Sequence, residues 1–269
     1  MTQFKAGYLR DPAKKPGQKP DRNFTTELLP RLSLSPGDVD FRPNCTETNQ
    51  ASASSCVGNS TGDSLEVLNS LEGLPPVQLS RMFIYALCRQ LMDEDNDGHS
   101  DINRDEGTYI RLAFDVLSRF GVCREDLPVS EGGWPYDLSK LHVLPSIKAM
   151  RAATGHRIHS YYRIWETGYD RVEKIHEALQ GRHPVVFGTQ IDSSFLKVKD
   201  ATPVGPPRGT LIGGHAMIVV GYIAGKGFII KNSWGKSWGE GGFCFMEPEY
   251  LAWTNTYDLW VPTKGMAFK

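Results

Sequence analysis

Three side chains far apart in this sequence have types and surroundings that suit nucleophilic chemistry. His215 opens a run of apolar, largely β-branched residues (Met217, Ile218, Val219, Val220). Ala224, Gly225, Lys226 and Gly227 then supply a turn, and Phe228, Ile229 and Ile230 lead back to Asn232. The pattern predicts a β-hairpin that sets an imidazole and a carboxamide side by side at one rim of a sheet. A hydrogen bond between them fixes the tautomer and orientation of the ring, the third-group role in nucleophilic catalysis. Trp234 follows closely, where an indole can roof that hydrogen bond against water. Upstream, Cys56 stands in NQASASSCVGNS, directly before a helical pattern of Val57, Thr61, Leu65 and Leu68. A thiol at a helix N-terminus is drawn toward thiolate by the dipole and by a neighbouring imidazolium. Gln50, six positions before Cys56, is placed to donate an amide N–H to an oxyanion.

Gln50, Cys56, His215 and Asn232, in that order and with NSWG at residues 232 to 235, resemble the papain-like cysteine peptidases. The SSCVGN elbow is similar to their prokaryotic branch, and the likeness spans roughly Leu29 to Pro262. The resemblance implies an α+β fold with a helix-rich left lobe (about 50–140), a β-barrel-like right lobe (about 145–262) and an active-site cleft between them. The two lobes together would form a catalytic domain at 38–264. It further implies a cysteine-type endopeptidase that hydrolyses peptide bonds through a Cys56 thiolate/His215 imidazolium pair and an acyl-enzyme. Its substrate would be a peptide or protein, and no cofactor is required. By the same resemblance Gly107 lends its backbone to an extended substrate, while Gly188 and Ala216 line the pocket for the second residue before the scissile bond. A catalytically silent peptide-binding module of the same fold is one alternative, and a transpeptidase or amide ligase is another.

The elements that must position these residues follow from local signals. Helices are expected over about 57–71, ending at Gly73, over 79–92 with Ser80 near its start, and over 108–120. A fourth is expected from a capping box of Asp170 and Glu173 to Gly181. Strands are expected at 184–191, 242–246 and 257–261. Residues 1–37, with five prolines and a local excess of basic residues, read as an extended arm that is strapped over the surface or partly disordered, with an autoinhibitory strap across the cleft as the alternative. The acidic stretch at 93–107 places Asp93, Asp95, Asp97 and Asp101 around Gly98 like the early ligands of a calcium loop. Arg104 stands where that loop needs a bidentate glutamate, so a structural calcium and a solvated acidic loop both remain open.

Composition narrows the partners. A net charge of −1 over 269 residues supplies no electrostatic footprint for nucleic acid. No apolar run approaches the roughly 20 residues of a membrane span, so no membrane partner is expected. The first twenty residues lack the apolar core of a signal peptide, which makes the cytoplasm the expected compartment. Of the five cysteines, Cys45, Cys88, Cys123 and Cys244 read as buried small hydrophobes, with a Cys88 to Cys123 contact left open. Ala53 stands where secreted members of the resembling family hold a disulfide cysteine, which suits a reducing compartment.

Overall fold

The computed structural model describes residues 5–93 and 97–263. In its first half three helices pack together: α1 (Cys56–Leu71), α2 (Arg81–Gln90) and α3 (Ile110–Arg119). The Ser80 side chain caps α2 by accepting from the Phe83 N–H at 3.1 Å. The third helix starts two residues later than its apolar pattern suggests. Thr108 and Tyr109 form a short strand, β3, instead, because their backbone pairs with the N-terminal arm. The apolar side chains of these helices, among them Leu65, Phe83, Ile84, Phe114 and Leu117, form one core.

The second half is a seven-stranded, antiparallel sheet. β4 (Ser160–Ile164), β9 (Thr256–Thr263), β5 (Val185–Asp192), β6 (Leu211–Ile223), β7 (Gly227–Lys231) and β8 (Phe243–Met246) lie in that order. β2 (Val39–Asp40) pairs with the far end of β6. This corrects the barrel-like expectation: β4 and β8 end the path without pairing to each other among the described residues. The face that a closed barrel would fill with its own strands is instead covered by α5 (Gly168–Gln180), whose Ile175, Ala178 and Leu179 pack against Val185, Phe187 and Val219. Asp170 lies in the first turn of α5 and Thr167 takes the N-cap position without a side-chain bond, so the expected capping box does not form. Two short helices, α4 (Ile147–Ala153) and α6 (Pro248–Ala252), complete the chain. No helix among the described residues is long and apolar enough to cross a membrane.

Helix α1 runs between the two halves and is buried along almost its whole length, from Cys56 to Asn69. Its polar residues must therefore find partners inside the protein. Asp63 forms a buried ion pair with Lys231 of β7, and the Thr48 hydroxyl donates to the same carboxylate oxygen at 3.1 Å. Glu66 accepts from the Leu79 N–H at 2.7 Å and from the Thr46 hydroxyl. This polar seam ties the helix that begins with Cys56 to the strand that ends beside Asn232.

The N-terminal arm has a defined path. β1 (Tyr8–Leu9) pairs in parallel with β3, Tyr8 opposite Thr108 and Leu9 opposite Tyr109. Farther along, Asn23 bridges to Arg163 of β4, and a single π-helical turn (Phe24–Leu28) buries Phe24 completely against the sheet core. The arm then enters β2, where the Phe41 N–H donates to the Val220 carbonyl at 2.8 Å.

Candidate active site

Cys56 is the first residue of α1 and is fully buried. Backbone N–H groups of Ala216, Val57 and Gly7 lie around its sulfur and favour negative charge there, so helix, strand and arm meet at this atom. His215 lies next to Ala216 on β6. The His215 Nε2 is 2.8 Å from Asn232 Oδ1, and that oxygen also accepts from the Ser233 N–H at 2.7 Å. A backbone N–H can only donate, so the Asn232 amide is oriented with its oxygen toward the ring. His215 Nε2 therefore carries the proton and Nδ1 the lone pair. The Trp234 indole stacks on the imidazole, with ring centroids 4.6 Å apart and planes at 26°. It roofs the His215–Asn232 bond while also meeting Phe195 and Trp238 edge to face.

Gln50 is held as firmly. Its Nε2 donates to the Ala53 carbonyl at 2.8 Å and its Oε1 accepts from the Ser233 hydroxyl at 2.7 Å. Flipping the amide would set its oxygen against the Ala53 carbonyl, which can only accept, so the NH₂ end is fixed on the Cys56 side of the loop with its second hydrogen available to an oxyanion. Tyr136 adds a bond from its hydroxyl to the Gln50 carbonyl at 2.9 Å. The serine of NSWG thus serves both groups: its N–H orients Asn232 and its hydroxyl orients Gln50. In the sequence, Ser233 stands out only as part of the NSWG motif.

The arm fills the cleft in front of these residues. The Gly7 N–H donates to the Gly214 carbonyl at 3.3 Å, and the Thr108 N–H donates to the Gly7 carbonyl at 3.1 Å. Glycine is required here on both sides. A Cβ on Gly7 would lie 2.2 Å from the Ser54 carbonyl oxygen, and one on Gly107, whose φ is +99°, would lie 2.4 Å from the Gly7 carbonyl oxygen. Gly107 therefore borders the groove in which the arm lies. Its own N–H, however, donates to the Tyr85 hydroxyl at 3.1 Å, and the bond to the extended chain comes from Thr108 instead.

The next arm residue, Tyr8, occupies the pocket assigned to Gly188 and Ala216. These two residues are register partners on β5 and β6. A Cβ on Gly188 would fall 2.0 Å from the Tyr8 ring, so the ring lies flat in the space that a missing side chain leaves. The Tyr8 hydroxyl donates to Asp258 Oδ2 at 2.6 Å, and the Asp11 N–H donates to the same oxygen at 2.6 Å. Arg163 holds the other oxygen of Asp258 at 2.6 Å. Asp11 is buried alongside, accepting from the Arg111 N–H at 3.1 Å and from Trp260 Nε1 at 2.9 Å.

This closed cleft reverses the expected ionisation. Burial pushes the Cys56 thiol up to about 12, and burial pushes His215 down to about 4 although its bond to Asn232 opposes that. With water excluded, the pair rests as thiol and neutral imidazole. The thiolate expected from the helix dipole is outweighed by desolvation while the arm is in place. Cys45, Cys88, Cys123 and Cys244 are also free, and no Cys88 to Cys123 bond forms.

Of the two readings left open for the acidic loop, the described residues do not bring a calcium site together. Asp95 lies outside the described residues. Asp93 accepts from the N–H groups of Asp97 and Gly98 at 3.0 and 3.1 Å, Asp97 accepts from the His99 N–H at 2.8 Å, and Asp101 faces Arg104 at 3.7 Å. Their carboxylates are engaged locally, and among the described residues no three ligating side chains converge.

A helix-borne thiol, a strand-borne imidazole oriented by a carboxamide, and an anchored glutamine at the mouth of a two-lobed α+β fold define the architecture of the cysteine peptidases. The chain belongs to the papain family of cysteine proteases, whose family model matches residues 35–255. It is similar to an uncharacterized peptidase C1-like protein, L477, of Acanthamoeba polyphaga mimivirus: 36% identical over 193 residues, covering 68% of this chain and 58% of the relative. A cysteine protease of Blomia tropicalis is 24% identical over 82% of this chain and 63% of its own length. The chain thus spans about three fifths of the curated relatives it matches. Among solved structures it is similar to xylellain, a cysteine protease from Xylella fastidiosa, at 27% identity, 98% coverage of both chains and a TM-score of 0.75. The bromelain protease of Ananas comosus, at 20% identity and a TM-score of 0.63 over 85% of this chain and 99% of its own, shares the fold.

Proposed function

We propose that this chain is a cysteine endopeptidase whose resting form is closed by its own N-terminal arm. The observation that carries the reading is the double service of Ser233, which orients both the Asn232 partner of His215 and the Gln50 amide beside Cys56. A module that only bound peptides would have no use for an oriented base and an anchored oxyanion donor around a thiol. With the arm displaced, water returns to the cleft and the desolvation that holds Cys56 and His215 neutral is relieved, so the proton passes from sulfur to Nδ1. The thiolate attacks the scissile carbonyl, and the oxyanion is met by Gln50 Nε2 and the Cys56 N–H. His215 gives its proton to the leaving amine, and water then releases the acyl group from sulfur. No cofactor enters these steps.

The test is peptide hydrolysis by the full chain carrying Tyr8→Ala, which loosens the arm, with and without Asn232→Ala. Hydrolysis that is blocked by a thiol-reactive epoxide on Cys56 and lowered by Asn232→Ala supports the reading. If no peptide in a broad panel is cleaved although Cys56 alkylates freely, the binding-module reading replaces it. Transfer of the acyl group to added amines in preference to water would move the assignment to a transferase.

A further inference from the structure

Asp258 has a backbone that β9 does not need. Its φ is +52°, the left-handed region that non-glycine residues seldom occupy. It lies where the β5–β9 register slips: Val186 faces Trp260 and Gly188 faces Tyr257, leaving an extra residue on β9. Bulges of this kind redirect side chains, and strained backbone persists where its surroundings hold it for a purpose. Here the bulge sends the Asp258 carboxylate under Gly188, to the floor of the pocket that Tyr8 fills. The side chain is fully buried. Both donors to its Oδ2, the Tyr8 hydroxyl and the Asp11 N–H, come from the arm. When the arm leaves, that buried oxygen loses both of them, while Oδ1 keeps Arg163.

We propose that Asp258 is a specificity-determining residue that selects substrates with tyrosine at the pocket-filling position, Tyr8 being the built-in imitation of that side chain. The inference rests on the peptidase reading. An aromatic ring is called for by the flat space over Gly188, and a terminal donor by Asp258 Oδ2. The donor should be neutral. Arg163 already balances the charge of Asp258, so a substrate arginine or lysine would bring a second cation beside it. Phenylalanine would fit the same space and leave a buried carboxylate oxygen without a donor, which sites built around a substrate hydroxyl penalise.

The experiment measures kcat/KM for three peptides identical except for tyrosine, phenylalanine or arginine at the second residue before the cleaved bond. The enzyme is the full chain with Tyr8→Ala. Tyrosine is expected to exceed phenylalanine by about 10- to 100-fold and to exceed arginine as well. The Asp258→Asn variant, which tolerates the left-handed backbone, should cut the tyrosine advantage to a few-fold. Equal rates for tyrosine and phenylalanine would overturn the inference, and so would faster cleavage of the arginine peptide. Either result leaves the peptidase reading intact, because cleavage itself is observed; only failure to cleave all three, and the wider panel, would count against that reading. Should Asp258→Asn fail to fold, the comparison among the three peptides decides alone.

Discussion

Replacing Tyr8 by alanine should open the cleft. Tyr8 is 4% exposed, so removing its ring forfeits roughly 2–3 kcal/mol of apolar burial. Its hydroxyl donates to a carboxylate, a bond worth about 1.5–3 kcal/mol. The two together give about 3.5–6 kcal/mol, a factor of roughly 3 × 10² to 2 × 10⁴ in the equilibrium between docked and displaced arm. Cys56 is fully buried beneath Gly7, so a small alkylating reagent reaches it only from the displaced state. Its rate should rise by that factor until the open form predominates. The assay is the second-order rate of Cys56 alkylation at pH 7, followed by mass spectrometry, with the melting temperature measured alongside. Tyr8→Phe, which keeps the ring and loses only the hydroxyl, should show a rise of about 10- to 100-fold. If Tyr8→Ala alkylates as slowly as the parent while remaining folded, the arm is not what closes the site.

Three further outcomes are expected. Burial, then the charge of Asp258, raises the Asp11 carboxyl in the docked arm to about 7, against an ordinary 3.8 when the arm is free. Docking should therefore be tightest below pH 3.8 and weaken by up to about tenfold per unit as pH rises toward 7; hydrogen exchange of residues 5–21, corrected for intrinsic rates, would show this, and flat protection across that window would refute it. Ser233→Ala should lower kcat about tenfold with little change in KM, and should cost almost nothing more when Gln50 is already alanine, since it acts through Gln50; independent, additive losses in a double-mutant cycle would deny that coupling. Lys231→Met should strand the buried Asp63 charge and cost about 3–5 kcal/mol in a denaturant melt, with most of the loss recovered in Lys231→Met/Asp63→Leu; an unchanged midpoint would mean the seam between α1 and β7 carries no stability.

What was legible in the sequence was what local chemistry announces. The turn at 224–227 and the β-branched runs beside it mark a hairpin wherever they occur, and a small-residue loop before an amphipathic run marks the start of α1. The hairpin brings His215 and Asn232 together without reference to the rest of the chain. The arm could not be traced in that way. Proline and charge mark it as extended, but its path is decided by contacts between residues some 250 positions apart, such as Tyr8 with Asp258, and no periodicity encodes those. Nor does the bulge at Asp258 carry a glycine or asparagine to signal its positive φ. Some signals were present and carried no obvious meaning alone. Lys231 ends an apolar FIIK run, and a lysine that strand buries has to have a carboxylate waiting for it; Asp63, in the middle of a helix that turns out to be buried almost entirely, is that carboxylate.

The arm is joined to the domain it closes, and this sets how the enzyme answers its surroundings. A separate inhibitor is lost on dilution, whereas a tethered one keeps an effective concentration of millimolar order or above however thin the solution. Secretion into a large volume or a fall in expression would not by itself unmask the cleft. The path of the tether supplies another route. Residues 12–20 are all exposed, while those on either side are held, Tyr8 in the pocket and Phe24 in the sheet core. A single cut in that exposed stretch would leave every contact of Tyr8 in place and still turn a one-molecule equilibrium into a two-molecule one, so that dilution, which the tethered arm resists, would then open the cleft.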